Sequence, residues 1–428
     1  MARLAPISMS SRLARSRLLA DLDLIQKLAV TGLGNAAGRG LGLAFAIISA
    51  GLLTAEDYGS VRWAMSVGMV GSIPATAGAA AIARAVAAAG DPVRQRTVAT
   101  VGLLLMSLAA LLCGAVTAAA LIALDRPWIG PAAVLLGMTL FAAVFNVCRG
   151  VSAAGRMAAL YAGGNALALG VLIVAGLAGL ATPLFVLVTY AAAWLLILSM
   201  LGPIPAPALR GWPSATRDIF RTWLPLILAH AAYTAWTWGD IVLVEATLGS
   251  AAAGAYGLAK TFVTVFLLVP ETVAMLLMPR VAAWRDRAAG LTRELLIVSG
   301  LVSLILLAGL LLIVPSLLPL FGGSRYLAAV ELLPGLGIAM ALYALYMVLE
   351  GHLVGMGRAG AHAAAMTAMA ITGLALITPL VQQLGAGGAG WAMAASSVIG
   401  LAALTIAARR DTPPLPPNPP QLRKIVSP

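Results

Sequence analysis

Apolar residues dominate this chain in long uninterrupted runs rather than in the alternating or helical stripes of a protein that faces water on one side. Runs bounded by charges or turn residues fall at Leu28–Leu53, Val61–Ile82, Val98–Leu124, Gly130–Cys148, Met157–Ala181 and Pro183–Leu201. A second set falls at Leu224–Thr247, Tyr256–Met278, Leu295–Leu320, Leu327–Leu353, Ala361–Leu384 and Ala386–Ala408. About 20 apolar residues in a helix cross the hydrocarbon core of a bilayer. The pattern therefore predicts an all-α polytopic membrane protein with about twelve transmembrane helices.

Composition agrees. Hydrophobic residues make up 61% of the 428 positions and charged residues 10%, against roughly 25% charged in a soluble domain. So few charges cannot wet a surface of this size, and lipid must serve as the outer solvent. Between the runs the sequence divides into a basic N-terminal segment (1–27), an N-terminal group of six spans (28–201) and a linker rich in Pro and Arg (202–222). A C-terminal group of six spans (223–408) and a proline-dense tail (409–428) follow. The N-terminal apolar stretch is longer than the core of a cleaved signal peptide and leads into further spans. It is expected to stay, preceded by a short basic helix on the membrane surface.

The net charge of +12 would suggest nucleic acid in a soluble protein. Here its distribution points elsewhere, to no nucleic-acid partner. Basic residues gather in alternate connections: Arg84, Arg94 and Arg96; Arg149 and Arg156; Arg210, Arg217 and Arg221; Arg280, Arg285, Arg287 and Arg293; and Arg358. The intervening connections hold Arg62, Arg126 and Arg325 beside acids such as Glu56, Asp57 and Asp125. Lys and Arg mark cytoplasmic loops, so an even number of spans with both termini in the cytoplasm is expected, in an inner membrane. Cys113 and Cys148 match no metal or redox spacing and read as packing residues.

The two groups of spans are related in sequence. Tyr58-Gly59-x-x-Arg62 opens the second span and Tyr256-Gly257-x-x-Lys260 the eighth. Pro74 corresponds to Pro270, Arg84 to Arg280 with a slip of two residues, and Gly155-Arg156 to Gly357-Arg358. Matched elements share orientation, so the repeat is parallel, about an axis along the membrane normal.

Several of these stretches carry a resemblance. Ala55-Glu56-Asp57-Tyr58-Gly59 followed by an apolar span and Ala83-Arg84 resembles bacterial polysaccharide (O-antigen type) flippases. So do Gly239-Asp240-Ile241, Leu248-Gly249, Gly254-Ala255-Tyr256-Gly257-Leu258-Ala259-Lys260 and Met278-Pro279-Arg280. These flippases belong to the multidrug/oligosaccharidyl-lipid/polysaccharide exporter superfamily. The resemblance runs from about Ile25 to Arg410 and implies two six-helix lobes around a central cavity that opens alternately to each side. It also implies an undecaprenyl-pyrophosphate-linked oligosaccharide as cargo, moved to the periplasmic leaflet for exopolysaccharide, O-antigen or capsule synthesis, with polymerase and chain-length machinery as partners.

Ionisable groups inside a membrane are costly and are candidates for function. Thr31, Asn35 and Arg39 share one face of the first span, with Arg39 near mid-membrane. A guanidinium offers paired donors to phosphate oxygens, so Arg39 and Asn35 are candidates for binding pyrophosphate; a structural inter-helix bond is the other reading. Tyr233, Trp236 and Asp240 share a face of the seventh span. The rings suit stacking on sugars or an interfacial aromatic belt, and Asp240 suits ion coupling or a structural pair with Lys260. Arg62 and Lys260, as repeat equivalents, are candidates for gating the outer mouth, with snorkelling to the interface as the plainer reading of Arg62. Glu271, next to Pro270, is a candidate for ion entry.

His230, Glu350 and His352 lie near cytoplasmic span ends, where solvated boundary residues are usual. The glycines of the first span, Gly32, Gly34, Gly38, Gly40 and Gly42, suit close helix packing. No cofactor or metal is expected beyond a coupling H+ or Na+. A cation-coupled multidrug exporter of the same superfamily is an alternative, disfavoured because the first half has no deep acid. A membrane polymerase or ligase is another, disfavoured because the outward loops are short and hold no catalytic group. The chain is therefore expected not to be an enzyme.

Overall fold

A computed structural model describes residues 9–89, 91–151, 153–200, 211–268, 270, 274, 277, 281, 288–322 and 326–409. The described residues form thirteen α-helices and a short 3₁₀ turn. In chain order these are α1 (Met9–Leu52), α2 (Ala55–Gly71), α3 (Ile73–Ala88), α4 (Pro92–Ala123), α5 (Ile129–Gly150), α6 (Ala154–Leu177) and α7 (Pro183–Met200). Then follow α8 (Trp212–Leu248), α9 (Ser250–Val263), the 3₁₀ turn Thr264–Leu267, α10 (Ala288–Gly322), α11 (Ala328–Gly355), α12 (Ala359–Leu384) and α13 (Gly387–Arg409). Among the described residues nine helices are long and apolar enough to span a membrane, ten if α2 and α3 count as one bent span. The chain is thus a multi-pass membrane protein. The other expected spans fall on α7, with an apolar stretch at Pro183–Ile197, and on α8.

Local chemistry sets the ends of these helices. Thr54 caps α2 by accepting from the Asp57 N–H (3.1 Å) while its hydroxyl donates to the Asp57 carboxylate (2.8 Å), so Asp57 is committed to a cap. Asp91 caps α4, accepting from the Val93 and Arg94 N–H groups at 2.9 Å, with Pro92 in the first turn. The run Val61–Ile82 is not one straight span. It breaks at Ser72, and α2 and α3 diverge by 64°. Pro74 lies in the first turn of α3, where its missing N–H costs nothing and its ring ends the helix before it. The matching stretch of the second half loosens into the 3₁₀ turn shortly before Pro270. Gly249 separates α8 from α9 at φ +86°, in the region that favours glycine.

Helices α1–α7 pack largely among themselves, with α1 on α6, α3 on α4 and α5, and α7 on α5 and α6. Helices α8–α13 do likewise, with α12 on α8 and α13, and α11 on α9, α10 and α13. Lipid gives apolar helices little reason to associate, so close backbone approach matters. Gly34, Gly38 and Gly42 form one stripe of α1: a methyl at Gly34 would collide with Ala158, one at Gly38 with the Tyr161 ring, and one at Gly42 would lie 3.2 Å from Asn165 Oδ1. Gly32 and Gly40 face open space. Two of the five glycines expected to serve packing therefore do not.

Candidate interior charge site

The two halves meet most closely where α2 crosses α9. Gly59 has no room for a methyl against the Ser250 carbonyl, and one at Gly254 would lie 2.6 Å from the Ala55 carbonyl. The Tyr58-Gly59 motif thus supplies one glycine of this contact, while Gly254 lies two residues before the second motif, whose own Gly257 faces the Arg62 side chain. Around the crossing lie Tyr58, Arg62, Asp240, Tyr256 and Lys260, all at least nine-tenths buried.

On the C-terminal side every group has a partner. The Lys260 ammonium pairs with Asp240 Oδ2 and also donates to the Thr237 carbonyl. Tyr256 donates to the same carboxylate oxygen at 2.7 Å, and the Ile241 N–H donates to Oδ1 at 2.8 Å. Asp240 is 0% exposed and Lys260 4%. A carboxylate so placed persists only with its charge paired and its lone pairs filled. The spacing of α8 and α9 explains the pair: Gly249 turns the chain back, bringing residues on facing sides into register.

On the N-terminal side the same motif is not closed. Arg62 is 8% exposed and forms no ion pair among the described residues. Its Nε is sealed from solvent with no hydrogen-bond partner among the described residues, and the Tyr58 hydroxyl is sealed beside Thr261, away from any acid. Thr261 lies beside Tyr58, and its hydroxyl, which donates to the Gly257 carbonyl at 2.8 Å, keeps lone pairs that can accept from Tyr58. The guanidinium carbon lies 5.9 Å from the Trp238 ring centre, a cation–π arrangement. Arg62 therefore does not snorkel to an interface but turns inward under an aromatic ring.

Other expected residues are placed as follows. Asn35 and Arg39 are half-buried on α1, beside the Gly34–Gly38–Gly42 stripe. Tyr233 stacks on Tyr343 at 6.2 Å. Trp236 is enclosed, its Nε1–H donating to Ser396 Oγ at 2.9 Å and its ring 4.8 Å from Tyr343. In this arrangement it belongs neither to a cavity wall nor to an interfacial belt. Glu271 lies outside the described residues.

Both ends of the bundle carry bridges between the halves that sequence reasoning missed. At the end where α1 meets α2, Arg126 pairs with Glu245 (3.2 Å) and lies over Trp63, while the Tyr326 hydroxyl donates to the Ala50 carbonyl (3.3 Å). At the other end the first turns of α8 lie on α3 and α4. Arg94 pairs with Asp218 (2.9 Å), the Trp223 Nε1–H donates to the Pro74 carbonyl (2.9 Å), and His230 bonds Thr76 (2.7 Å). The residues expected to be solvated at span ends are instead paired. His352 bonds Thr292 (2.8 Å), and Glu350 lies 3.5 Å from His362, which in turn bonds Tyr346 (3.1 Å). Long-range pairs of this kind leave no local sequence signal.

No protein-family model matches the chain, and no curated protein matches its sequence. Solved structures do match its fold. One is the lipid II flippase MurJ in an inward closed conformation, at 11% identity and a TM-score of 0.69, covering 89% of this chain and 87% of that one. Another is an inward-facing multidrug resistance MATE family transporter of the MOP superfamily, at 14% identity and a TM-score of 0.70, covering 87% and 96%. A third is a MOP superfamily transporter from Pyrococcus furiosus described as having a binding pocket of reverse polarity, at 15% identity and a TM-score of 0.65, covering 90% and 95%. The chain has the fold of these transporters.

Proposed function

We propose that this chain is a flippase that carries an undecaprenyl-pyrophosphate-linked oligosaccharide from the cytoplasmic to the periplasmic leaflet of the inner membrane by alternating access. The observation that carries the reading is the charge balance at the interface of the two halves. Arg62 and Lys260 are both buried at this crossing, and among the described residues the one carboxylate buried with them, Asp240, is already neutralised by Lys260. The surplus is positive, which suits an anionic cargo and opposes a cationic one. The superfamily's fold serves both a lipid-linked cargo and multidrug export in the proteins it resembles. A cation-coupled exporter needs an intramembrane carboxylate free to take up its cation. Asp240 is filled by an ammonium, a hydroxyl and a backbone N–H, so that alternative is the weaker one.

In this reading Arg39 and Asn35 grip the pyrophosphate from α1, Tyr233 meets the sugars, and the α2–α9 crossing closes the periplasmic mouth. Polymerase and chain-length proteins would receive the product. Arg39→Ala, in a strain whose own copy is deleted, should abolish surface polysaccharide with normal protein level and membrane insertion. Wild-type polysaccharide in that strain rejects the assignment. Transport by Glu271→Gln and Asp240→Asn with and without a proton or sodium gradient tests whether either residue couples; unchanged ion dependence in both removes them.

A further inference from the structure

The two copies of the Tyr-Gly-x-x-basic motif differ in one respect that has a chemical consequence. In the C-terminal copy the tyrosine hydroxyl and the basic side chain four residues later converge on Asp240, which lies 16 residues before the tyrosine. The corresponding stretch before Tyr58 is Gly40-Leu41-Gly42-Leu43-Ala44-Phe45-Ala46, and α1 has no acid anywhere from Leu28 to Leu52. A slip of a few residues in the repeat does not change this. The N-terminal copy thus keeps the donors and lacks the acceptor.

We infer that Tyr58 and Arg62 form a binding site for an oxyanion that the protein does not itself supply. The donors fit. A guanidinium presents parallel N–H groups matched to two oxygens of a carboxylate or phosphate, and the Tyr58 hydroxyl is one helical turn away on the same face of α2. Both groups are buried, Tyr58 meets only the neutral Thr261 hydroxyl, and Arg62 Nε lacks any acceptor among the described residues, a state proteins rarely leave unused. The Trp238 face compensates Arg62 only through its ring quadrupole.

Access is conditional. A methyl at Gly257 would lie 2.7 Å from Arg62 Nε, so α9 packs directly on the guanidinium. An oxyanion reaches Arg62 when α9 moves off α2, and binding therefore shifts the population toward the state in which this end is open. Lys260 does not compete, because Asp240 holds it within its own half. The inference rests on the transporter reading for the existence of an open state, not for the identity of the cargo.

The site is tested by spin labels at the exposed positions Glu56 on α2 and Ala251 on α9, with Cys113 and Cys148 replaced by Ser, in purified full-length protein in lipid nanodiscs. Methyl phosphate and glucuronate are the probes, with chloride as control. A longer-distance population should appear with an oxyanion in the wild type. In Arg62→Gln the half-maximal concentration should rise by about tenfold or more, as expected for losing a charge-assisted hydrogen bond. Arg62→Lys should recover part of the response, and Tyr58→Phe should weaken it less than Arg62→Gln does.

A response to methyl phosphate alone assigns the site to the phosphate of a lipid linkage, and a response to glucuronate alone to an acidic sugar. An equal response to chloride overturns the oxyanion assignment, as does an unchanged response in Arg62→Gln. Gly59→Ala, which cannot keep its contact with Ser250, should lengthen the distance without ligand. Lengthening in Gly59→Ala with none in the wild type under either oxyanion overturns the site while leaving alternating access intact.

Discussion

The α8–α9 pair and the α1–α2 pair carry the two copies of one sequence motif, yet one is electrostatically closed and the other is open. In the C-terminal pair a buried lysine, a tyrosine and a backbone N–H share one aspartate. In the N-terminal pair the buried arginine lies over the Trp238 ring, the buried tyrosine meets Tyr326 edge-on, and neither pairs with an acid among the described residues. Both copies hold a tyrosine and a basic side chain four residues later, and only the C-terminal copy meets an acid. A repeat can therefore make one half a structural anchor and the other a receptor with the same few residues.

The largest expected effect tests that asymmetry directly. Lys260→Met leaves Asp240 buried without a counter-charge and should lower stability by about 3 kcal/mol or more. Arg62→Met removes a buried cation that has no acid and should be neutral or stabilising, because its desolvation is not repaid. Thermal unfolding of the two purified variants in one detergent reads the difference. Equal losses would mean that Arg62 is as well compensated as Lys260, and the contrast would fail.

The glycines sharpen the same comparison geometrically. Gly59→Ala places a methyl against the Ser250 carbonyl, and overpacking of this kind costs about 1–3 kcal/mol. Gly40→Ala, facing open space on α1, should gain about 0.5–1 kcal/mol from helix propensity. A stable Gly59→Ala with no change in the α2–α9 distance would show the crossing to be looser than its backbone contacts indicate.

Hydropathy made the apolar helices legible, because each needs only a long run without charge. The repeat was legible through Tyr58-Gly59 and Tyr256-Gly257, and the Asp240–Lys260 pair through their common depth in adjacent spans. What sequence did not show depends on contact between distant segments. The bend at Ser72 has its cause in Pro74, yet a proline inside an apolar run reads equally as a tolerated kink. The stripe of Gly34, Gly38 and Gly42 could be separated from Gly32 and Gly40 only once α6 was in place. Arg126 looked like a loop charge until Glu245 met it across the halves. Trp236 read as either a sugar-stacking ring or part of an interfacial belt from its face alone, but α12 and α13 cover that face, and Ser396 takes its N–H.

Hydroxyl deletions probe the two copies more finely. Tyr256→Phe removes a bond to a buried carboxylate and should cost about 1.5–3 kcal/mol. Tyr58→Phe removes a hydroxyl that meets only the neutral Thr261 hydroxyl and should cost less, about 0.5–1 kcal/mol, in the absence of an oxyanion. Denaturation of both variants in phosphate-free buffer provides the readout. A loss in Tyr58→Phe matching that in Tyr256→Phe would indicate a charged acceptor in the N-terminal copy and would close the proposed site.

The smallest effect belongs to the bridge between the halves at the basic end. Arg94 and Asp218 lie 2.9 Å apart, but their side chains are 54% and 46% exposed. Exposed pairs contribute little, because water screens the attraction and two long side chains lose freedom. Arg94→Ala should therefore cost no more than about 0.5 kcal/mol, and less still at high salt. The pair joining the halves at the opposite end differs in burial: Glu245 is 8% exposed, beside Arg126 at 49%. Arg126→Ala leaves that carboxylate enclosed and should cost more than Arg94→Ala. If unfolding measurements at low and high salt reversed that order, burial at the α2–α9 end would not be what sets the strength of the contacts between the two halves.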